Sequence, residues 1–419
     1  MRGLALTVER LTYGPDALAH AGRQVVFVPL AAPGDRVTVD VVEERAGYLR
    51  ARVHEVEVPG PTRTVPGCRW FPTCGGCQWQ HVMPQGQRDA KSAIVAEQLA
   101  RIGRVRDPDV RPTLPSPTDW RYRARITLVA DGRRLGYHRA RSRTLVEVDD
   151  CPIADAALGA HLAVVRRWAA GIRAPLERVT LAVVPGGVAL AAVASTPPGA
   201  ADEAATEALL AATPTVRGAV LAGRDTRWVV GDPTVRVELE PGLDLEVPAD
   251  VFTQVNASAN RLLIGTVADL VAPTPGTRVL DLYSGAGNFT LPLARRGARV
   301  LGVERNGEAV RAGRANAARL GLANAAFQAA DVAAAVRTMT PGTVDVVVLD
   351  PPRAGAADVV TALAALRAPR IVYVSCDPAT LARDVRALHS HAYRPGRIQP
   401  IDVFPQTYHV ETVAELRLT

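Results

Sequence analysis

The sequence predicts an α/β protein with a doubly wound, Rossmann-like C-terminal domain, an α+β middle domain and a small OB-like β-barrel at the N-terminus. Three observations carry this reading. From about residue 248, four apolar runs, TRVLDLYSG, ARVLGVERN, VDVVVLDPP and PRIVYVSCDP, are followed by helical segments, as in a parallel sheet covered on both faces. From Trp120 to about Val247, β-rich runs (YRARITLVA, VTLAVVPGGVALAAVAS, WVVGDPTVRVELE) enclose one Ala-rich helical stretch near residues 154–172. Residues 1 to about 60 alternate apolar and polar positions in the short runs QVVFVPL, DRVTVDVVEE and YLRARVHEVEV, which turns at Gly34-Asp35 and Ala46-Gly47 separate. The implied divisions are 1–60 for the barrel, 61–247 for the middle domain and 248–419 for the α/β domain.

Between barrel and middle domain, residues 61–80 are rich in Pro, Cys and Trp without a regular period, as expected of a segment folded around a metal site. GQRDAKSAIVAEQLARIG then places Ala93, Ile94, Ala96, Leu99 and Ile102 at helical spacing up to Gly103, which predicts a structural helix. With 419 residues, 48% of them hydrophobic, and a mean hydropathy of +0.06, the chain is long enough for two or three packed domains and is not globally disordered. MRGLALTVERLTYGPD reaches an acidic residue and turn formers before a secretory apolar core develops, and no later run has bilayer length. A cytoplasmic protein with no membrane partner is expected, and a monomer is the default. The net charge of +7 favours a polyanionic partner such as nucleic acid. Lys91 is the only lysine, however, so the positive charge is nearly all arginine, a bias that a GC-rich genome also produces.

In VLDLYSGAGNFTLPLA a strand ends at Asp281 and runs through Ser284-Gly285-Ala286-Gly287 into a helix near Phe289, so the backbone can approach a ligand at the carboxyl edge of the sheet. Such a loop alone is compatible with NAD, nucleotides or S-adenosylmethionine. Glu304 closes the next strand about 20 residues later, where a carboxylate accepts both hydroxyls of an adenosyl ribose. Asp331 follows the third strand, placed to contact adenine, and Asp350 opens DPPR after the fourth. Together these strand ends resemble a class I methyltransferase. A P-loop is excluded because no glycine loop carries a following Lys-Ser/Thr. Cys376, in IVYVSCDPATLARD, lies between a strand and a helix starting near Ala379, where backbone amides are expected to stabilise a thiolate.

FTQVNASANRLL, DLYSGAGNFTLPLA, DPPR, SCDPATLARD and FPQTYHVE together resemble the RNA (uracil-5-)-methyltransferase family, whose members include tRNA and 23S rRNA enzymes, and the resemblance covers essentially the whole chain. It implies that Gln254, Tyr283, Asn288, Glu304, Asp331 and Asp350 contact S-adenosylmethionine, that Cys376 is the nucleophile and that Glu411 is the proton acceptor. The chemistry asks for these last two groups. Uracil carbon 5 is too weak a nucleophile to take a methyl group unaided, so a thiolate first adds to carbon 6, and a base later removes the carbon-5 proton. Family members commonly have Phe and Cys where this chain has Tyr283 and Ser284, and neither side chain is required by that chemistry. The absence of Cys from DPPR argues against a cytosine-5 enzyme that uses two cysteines. GRQVVFVPLAAPGDRVTVDVVEERAGYLRARVHEV likewise resembles a TRAM domain, an OB-like RNA-binding module.

Cys68-x5-Cys74-x2-Cys77, with Cys151 downstream, offers four thiolates for an iron–sulfur cluster or a tetrahedral zinc, and spacing does not separate the two. The isolated fourth cysteine fits a cubane better than paired knuckles, and the set resembles the [4Fe-4S] site of the 23S rRNA branch. That resemblance implies a structural or RNA-positioning cluster and 23S rRNA as the substrate, with tRNA the alternative. Trp70, Phe71, Trp79 and the run Arg121, Arg123, Arg125 are expected either to stack and pair with RNA or to pack around the cluster. Two rivals remain, a cytosine-5 methyltransferase and a non-catalytic RNA-binding assembly factor. The intact set of Cys376, Glu411 and Asp350 speaks against the second.

Overall fold

A computed structural model describes residues 3–419. Strands β1 (Leu4–Leu11), β2 (Asp16–Ala21), β3 (Gln24–Pro29), β4 (Arg36–Arg45) and β5 (Tyr48–Val58) close into a barrel in the order β1-β2-β3-β5-β4. Val26 and Val28, Val37 and Val39, and Leu49 and Ala51 point into its core, as the alternating sequence requires. Closure removes the exposed strand edges that a sheet this small would otherwise present.

Helix α1 (Pro84–Arg101) wedges between the barrel and the C-terminal domain. Ile94 enters the barrel core, whereas Val95 and Leu99 enter the core of the C-terminal domain. Its buried face differs from the expected apolar stripe. Ala93 and Ile102 are exposed, and Gln87 and Lys91 are buried in their place. Specific partners make that burial tolerable: Lys91 Nζ, at 0% exposure, donates to Asp402 Oδ1 (2.5 Å) and to the Phe404 carbonyl (3.0 Å). Gln87 donates to the carbonyls of Trp79 and Val82 and accepts the amide of Gln406.

The middle domain contains β6 (Arg125–Asp131), β7 (Arg134–His138), β8 (Leu145–Val146), α2 (Ala156–Gly171), β9 (Leu176–Val184), β10 (Gly187–Ala194), α3 (Ala200–Ala212), β11 (Val216–Gly223) and β12 (Thr226–Gly231). Its seven strands run in the order β12-β11-β10-β9-β6-β7-β8. One helix was expected here and two are present. β10 and β11 pair in parallel, which demands a crossover, and α3 supplies it. Leu158, Leu162 and Trp168 of α2 and Leu209 of α3 share the core under the sheet.

The hairpin β13 (Thr234–Glu240) and β14 (Leu243–Pro248) was assigned to the middle domain from sequence. Its Val235, Val237, Leu245 and Val247 lie in one continuous core with α4 (Ala257–Val271), the C-terminal sheet and Ala182, Val184, Ala189 and Val220 of the middle sheet. The hairpin therefore packs against both domains. The sheet comprises β15 (Arg278–Leu282), β16 (Arg299–Glu304), β17 (Ala325–Ala329), β18 (Val346–Leu349), β19 (Arg370–Ser375), β20 (Tyr393–Ile401) and β21 (Glu411–Leu418). Helices α5 (Thr290–Arg295), α6 (Gly307–Arg319), α7 (Val332–Arg337), α8 (Val360–Leu366) and α9 (Pro378–His389) connect the parallel strands and lead into β20. The order is β17-β16-β15-β18-β19-β21-β20, and β21 runs antiparallel between β19 and β20. This antiparallel insertion was not foreseen from the apolar runs, and it brings the end of the chain beside the strand that leads to Cys376.

Lys91 and Asp402 join α1 to the loop between β20 and β21. Lys91→Met leaves a buried carboxylate without its partner and is expected to cost the unit containing it about 3–5 kcal/mol. Lys91→Met with Asp402→Leu should recover most of that loss, as urea unfolding of both variants would show.

Candidate functional site

The cofactor loop is built by backbone conformation. After β15 the chain takes positive φ at Tyr283 (60°), Gly285 (54°) and Gly287 (105°). A Cβ on Gly287 would lie 2.8 Å from the Phe327 ring, so glycine is required there. Glu304, at the end of β16, accepts the amide hydrogens of Gly285 (3.1 Å) and Asn306 (2.7 Å), which fastens the loop to the neighbouring strand. Asn288 and Asn260 of α4 exchange amide hydrogen bonds of 2.8 and 3.0 Å, anchoring the helix that follows the half-buried Gln254.

Asp281 is fully buried at the end of β15, and Thr290 Oγ1 donates to its Oδ2 at 2.6 Å. Its Oδ1 and the Ser284 hydroxyl are buried without partners beside the same loop. Burial pushes the Asp281 carboxyl up to about 7; burial and the charge of Asp281 do the same to Asp350 on the adjacent strand end. Two polar atoms in want of partners beside a glycine turn fit a ligand rich in donors, as the amino and hydroxyl groups of S-adenosylmethionine are. Asp331 stands after β17 as expected, but it is exposed and caps α7, accepting the amide of Ala334 at 3.0 Å. Burial and the charges of Asp358, Asp331 and Asp384 push the Tyr283 hydroxyl up to about 12.

Cys376 follows β19 directly and is partly accessible. β19 and β21 pair Ser375 with Thr412, so the next positions, Cys376 and Glu411, meet at the carboxyl edge of the sheet. The expected stabilisation of the thiolate by α9 is not what the structure supplies. Asp377 takes the free amides of Ala379 and Thr380 as the helix cap. Burial pushes the thiol up to about 12, and the charges of Glu411, Asp350 and Asp377 add to that, with the exposed Arg353 guanidinium opposing them. Burial and Asp350 likewise raise Glu411 well above the ordinary carboxylate range. His409 lies 3.5 Å from Arg353, and burial pulls it down to about 4, so it is neutral.

The other four cysteines, all free, line a single cavity of about 50 Å3 together with Arg123 and Tyr137. Burial raises the thiols of Cys74, Cys77 and Cys151, and the charge of the neighbouring thiols adds to the shift at Cys74 and Cys77. Among the described residues, no three His, Cys, Asp or Glu side chains converge as they would around a single ion. The arginine run does not face outward as one RNA surface. Arg121 pairs with Asp150 at 2.9 Å, Arg123 borders the cysteine cavity, and Arg125 is 9% exposed. Trp79 is fully buried, donating to the Gly14 carbonyl at 3.2 Å, so it packs against the barrel.

Asp281 was named from the sequence only as the end of the first apolar strand, and Asn260 and Phe252 were passed over. The two polar residues are buried around the loop, and Phe252 is 67% exposed two residues before Gln254. Asp281 was detectable as the acidic end of the first apolar strand; an exposed Phe is visible only in three dimensions.

Residues 243–417 match the family model described as tRNA (Uracil-5-)-methyltransferase, and residues 4–54 match the TRAM domain. The 23S rRNA (uracil(1939)-C(5))-methyltransferase RlmD of Alkalilimnicola ehrlichii is 38% identical over 433 residues, covering 98% of this chain and 95% of its own. Its counterpart in Thiobacillus denitrificans is 36% identical, covering 96% and 97%. Among solved structures, the Pyrococcus abyssi tRNA (uracil-54, C5)-methyltransferase in complex with S-adenosyl-L-homocysteine aligns with a TM-score of 0.74 at 25% identity, covering 99% of this chain and 100% of that one. With its barrel, its class I methyltransferase fold and relatives alike over nearly their whole length, the chain belongs to the RNA (uracil-5-)-methyltransferase family.

Proposed function

We propose that this protein methylates carbon 5 of a uridine in 23S rRNA in the cytoplasm, with S-adenosylmethionine as donor and Cys376 as a covalent nucleophile. The juxtaposition of Cys376 and Glu411 across β19 and β21, beside the strand ends that carry Asp281 and Asp350, is the observation that carries this reading. The preference for 23S rRNA over tRNA rests on the names and identities of the two bacterial relatives.

Gln254, Tyr283, Asn288, Glu304, Asp331 and Asp350, with Asp281 added, would contact the donor; the hydrogen bond of Glu304 to Gly285 and the unpartnered Asp281 Oδ1 beside the glycine turn support this. S-adenosylmethionine supplies the methyl group as an electrophile. Cys376 Sγ, once deprotonated, adds to carbon 6 of the uracil, and the electron pair of the carbon 5–carbon 6 bond moves onto carbon 5 and oxygen 4. Carbon 5 would then take the methyl group as the donor's sulfur–methyl bond breaks, its electron pair staying on sulfur to leave S-adenosylhomocysteine. Glu411 removes the proton left on carbon 5, the double bond re-forms and Sγ departs with its electron pair. Arg353 eases both protein steps, since its charge favours the thiolate and the carboxylate.

Cys68, Cys74, Cys77 and Cys151 would hold a [4Fe-4S] cluster. Four free thiols that line one cavity, with Cys151 isolated in sequence from the other three, support this reading. Such a group would brace the segment before α1 against the middle domain.

Incubation of full-length protein with tritiated S-adenosylmethionine and unmethylated 23S rRNA should yield 5-methyluridine, and Cys376→Ala should reduce incorporation to background. Equal incorporation by the variant, or 5-methylcytidine as product, contradicts the proposed chemistry; methylation of tRNA alone contradicts the substrate. Anaerobically purified protein should contain iron and acid-labile sulfide, about four of each per chain, and Cys77→Ser should lose both. Stoichiometric zinc without sulfide would refute the cluster.

A further inference from the structure

The barrel reaches the candidate nucleophile directly. Tyr13, in the turn between β1 and β2, places its hydroxyl 3.3 Å from the Cys376 carbonyl and 3.1 Å from Asp377 Oδ2. The other Asp377 oxygen caps α9, so one carboxylate is shared between the helix that follows the nucleophile and a residue 364 positions away. Ser375 braces the same corner from the strand side, its hydroxyl bonded to the Asp377 amide (3.2 Å) and carbonyl (3.1 Å).

The turn carrying Tyr13 is itself held. Thr12 Oγ1 donates to the Asp16 carbonyl at 2.6 Å, Trp79 Nε1 donates to Gly14, and Asp16 pairs with Arg50 and Arg141. The Tyr13 ring meets the Tyr408 ring edge-on, with centroids 5.5 Å apart, three residues before Glu411. A single side chain of the barrel thus touches both segments that carry the proposed covalent chemistry.

We propose that Tyr13 is a positioning residue for the nucleophile: its hydroxyl fixes the Cys376–Asp377 backbone corner and so the direction in which Sγ leaves it, making the barrel part of the catalytic site as well as an RNA-binding module. The inference rests on the reading of Cys376 as nucleophile. Displacing a reacting atom by about 1 Å costs on the order of 100-fold in rate, so a fastening at the nucleophile's own carbonyl has kinetic weight. An RNA contact made by Tyr13 would instead act on binding.

The test uses the full-length protein, S-adenosylmethionine and 23S rRNA transcribed with 5-fluorouridine. Fluorine at carbon 5 leaves Glu411 no proton to remove, so the Cys376–RNA adduct persists and its single-turnover rate reports addition and methyl transfer. Tyr13→Phe, which keeps the ring and its contact with Tyr408, should slow adduct formation about 10- to 100-fold without changing RNA affinity or the unfolding temperature. A wild-type adduct rate in Tyr13→Phe, or a loss explained wholly by weaker RNA binding, overturns the proposal while leaving the Cys376 chemistry intact. Failure of the wild-type protein to form any adduct overturns both.

Discussion

The site is governed by a shortage of positive charge. The proposed chemistry asks Cys376 to become an anion, yet it stands beside Glu411, Asp350 and Asp377 in a partly desolvated corner, with Arg353 opposing them. Burial and mutual repulsion keep protons on the thiol, on Glu411 and, near neutrality, on Asp350 and Asp281. The resting centre is therefore close to neutral, and any ligand that adds positive charge or donors there favours the ionised forms.

The same corner draws on three distant parts of the chain. β21 supplies Glu411 by inserting antiparallel next to β19. α1 holds the preceding loop through the Lys91–Asp402 pair and through Gln87 on Gln406. The barrel contributes Tyr13. The α1 and barrel contacts fix backbone, and with the pairing of β21 they hold the loops at this sheet edge in place.

Much of the fold was legible because its signals are local. Period-two alternation gave the barrel, continuous apolar runs gave the parallel strands, and Gly285 and Gly287 marked the turn. The acidic strand ends were legible for the same reason. What was missed depends on pairing between remote segments. α3 was hidden behind Pro197-Pro198 and is demanded only by the parallel pairing of β10 and β11. The burial of Lys91 was not foreseen, because its partner lies 311 residues away. The arginines at 121, 123 and 125 were grouped as one run that could pair with RNA, yet Asp150 holds Arg121, Arg123 lies over Phe404 and Arg125 is buried. The helix start after Cys376 was correctly placed, but sequence did not reveal that Asp377 would occupy its amides.

The paired roles of Cys376 and Glu411 are tested most directly by Glu411→Gln incubated with S-adenosylmethionine and unmodified 23S rRNA, followed by denaturing electrophoresis and peptide mass spectrometry. The account predicts a denaturation-resistant protein–RNA complex with a methylated uridine attached at Cys376, because addition and methyl transfer proceed while the final proton stays in place. Free 5-methyluridine released at the wild-type rate, or a linkage at any other residue, would contradict it.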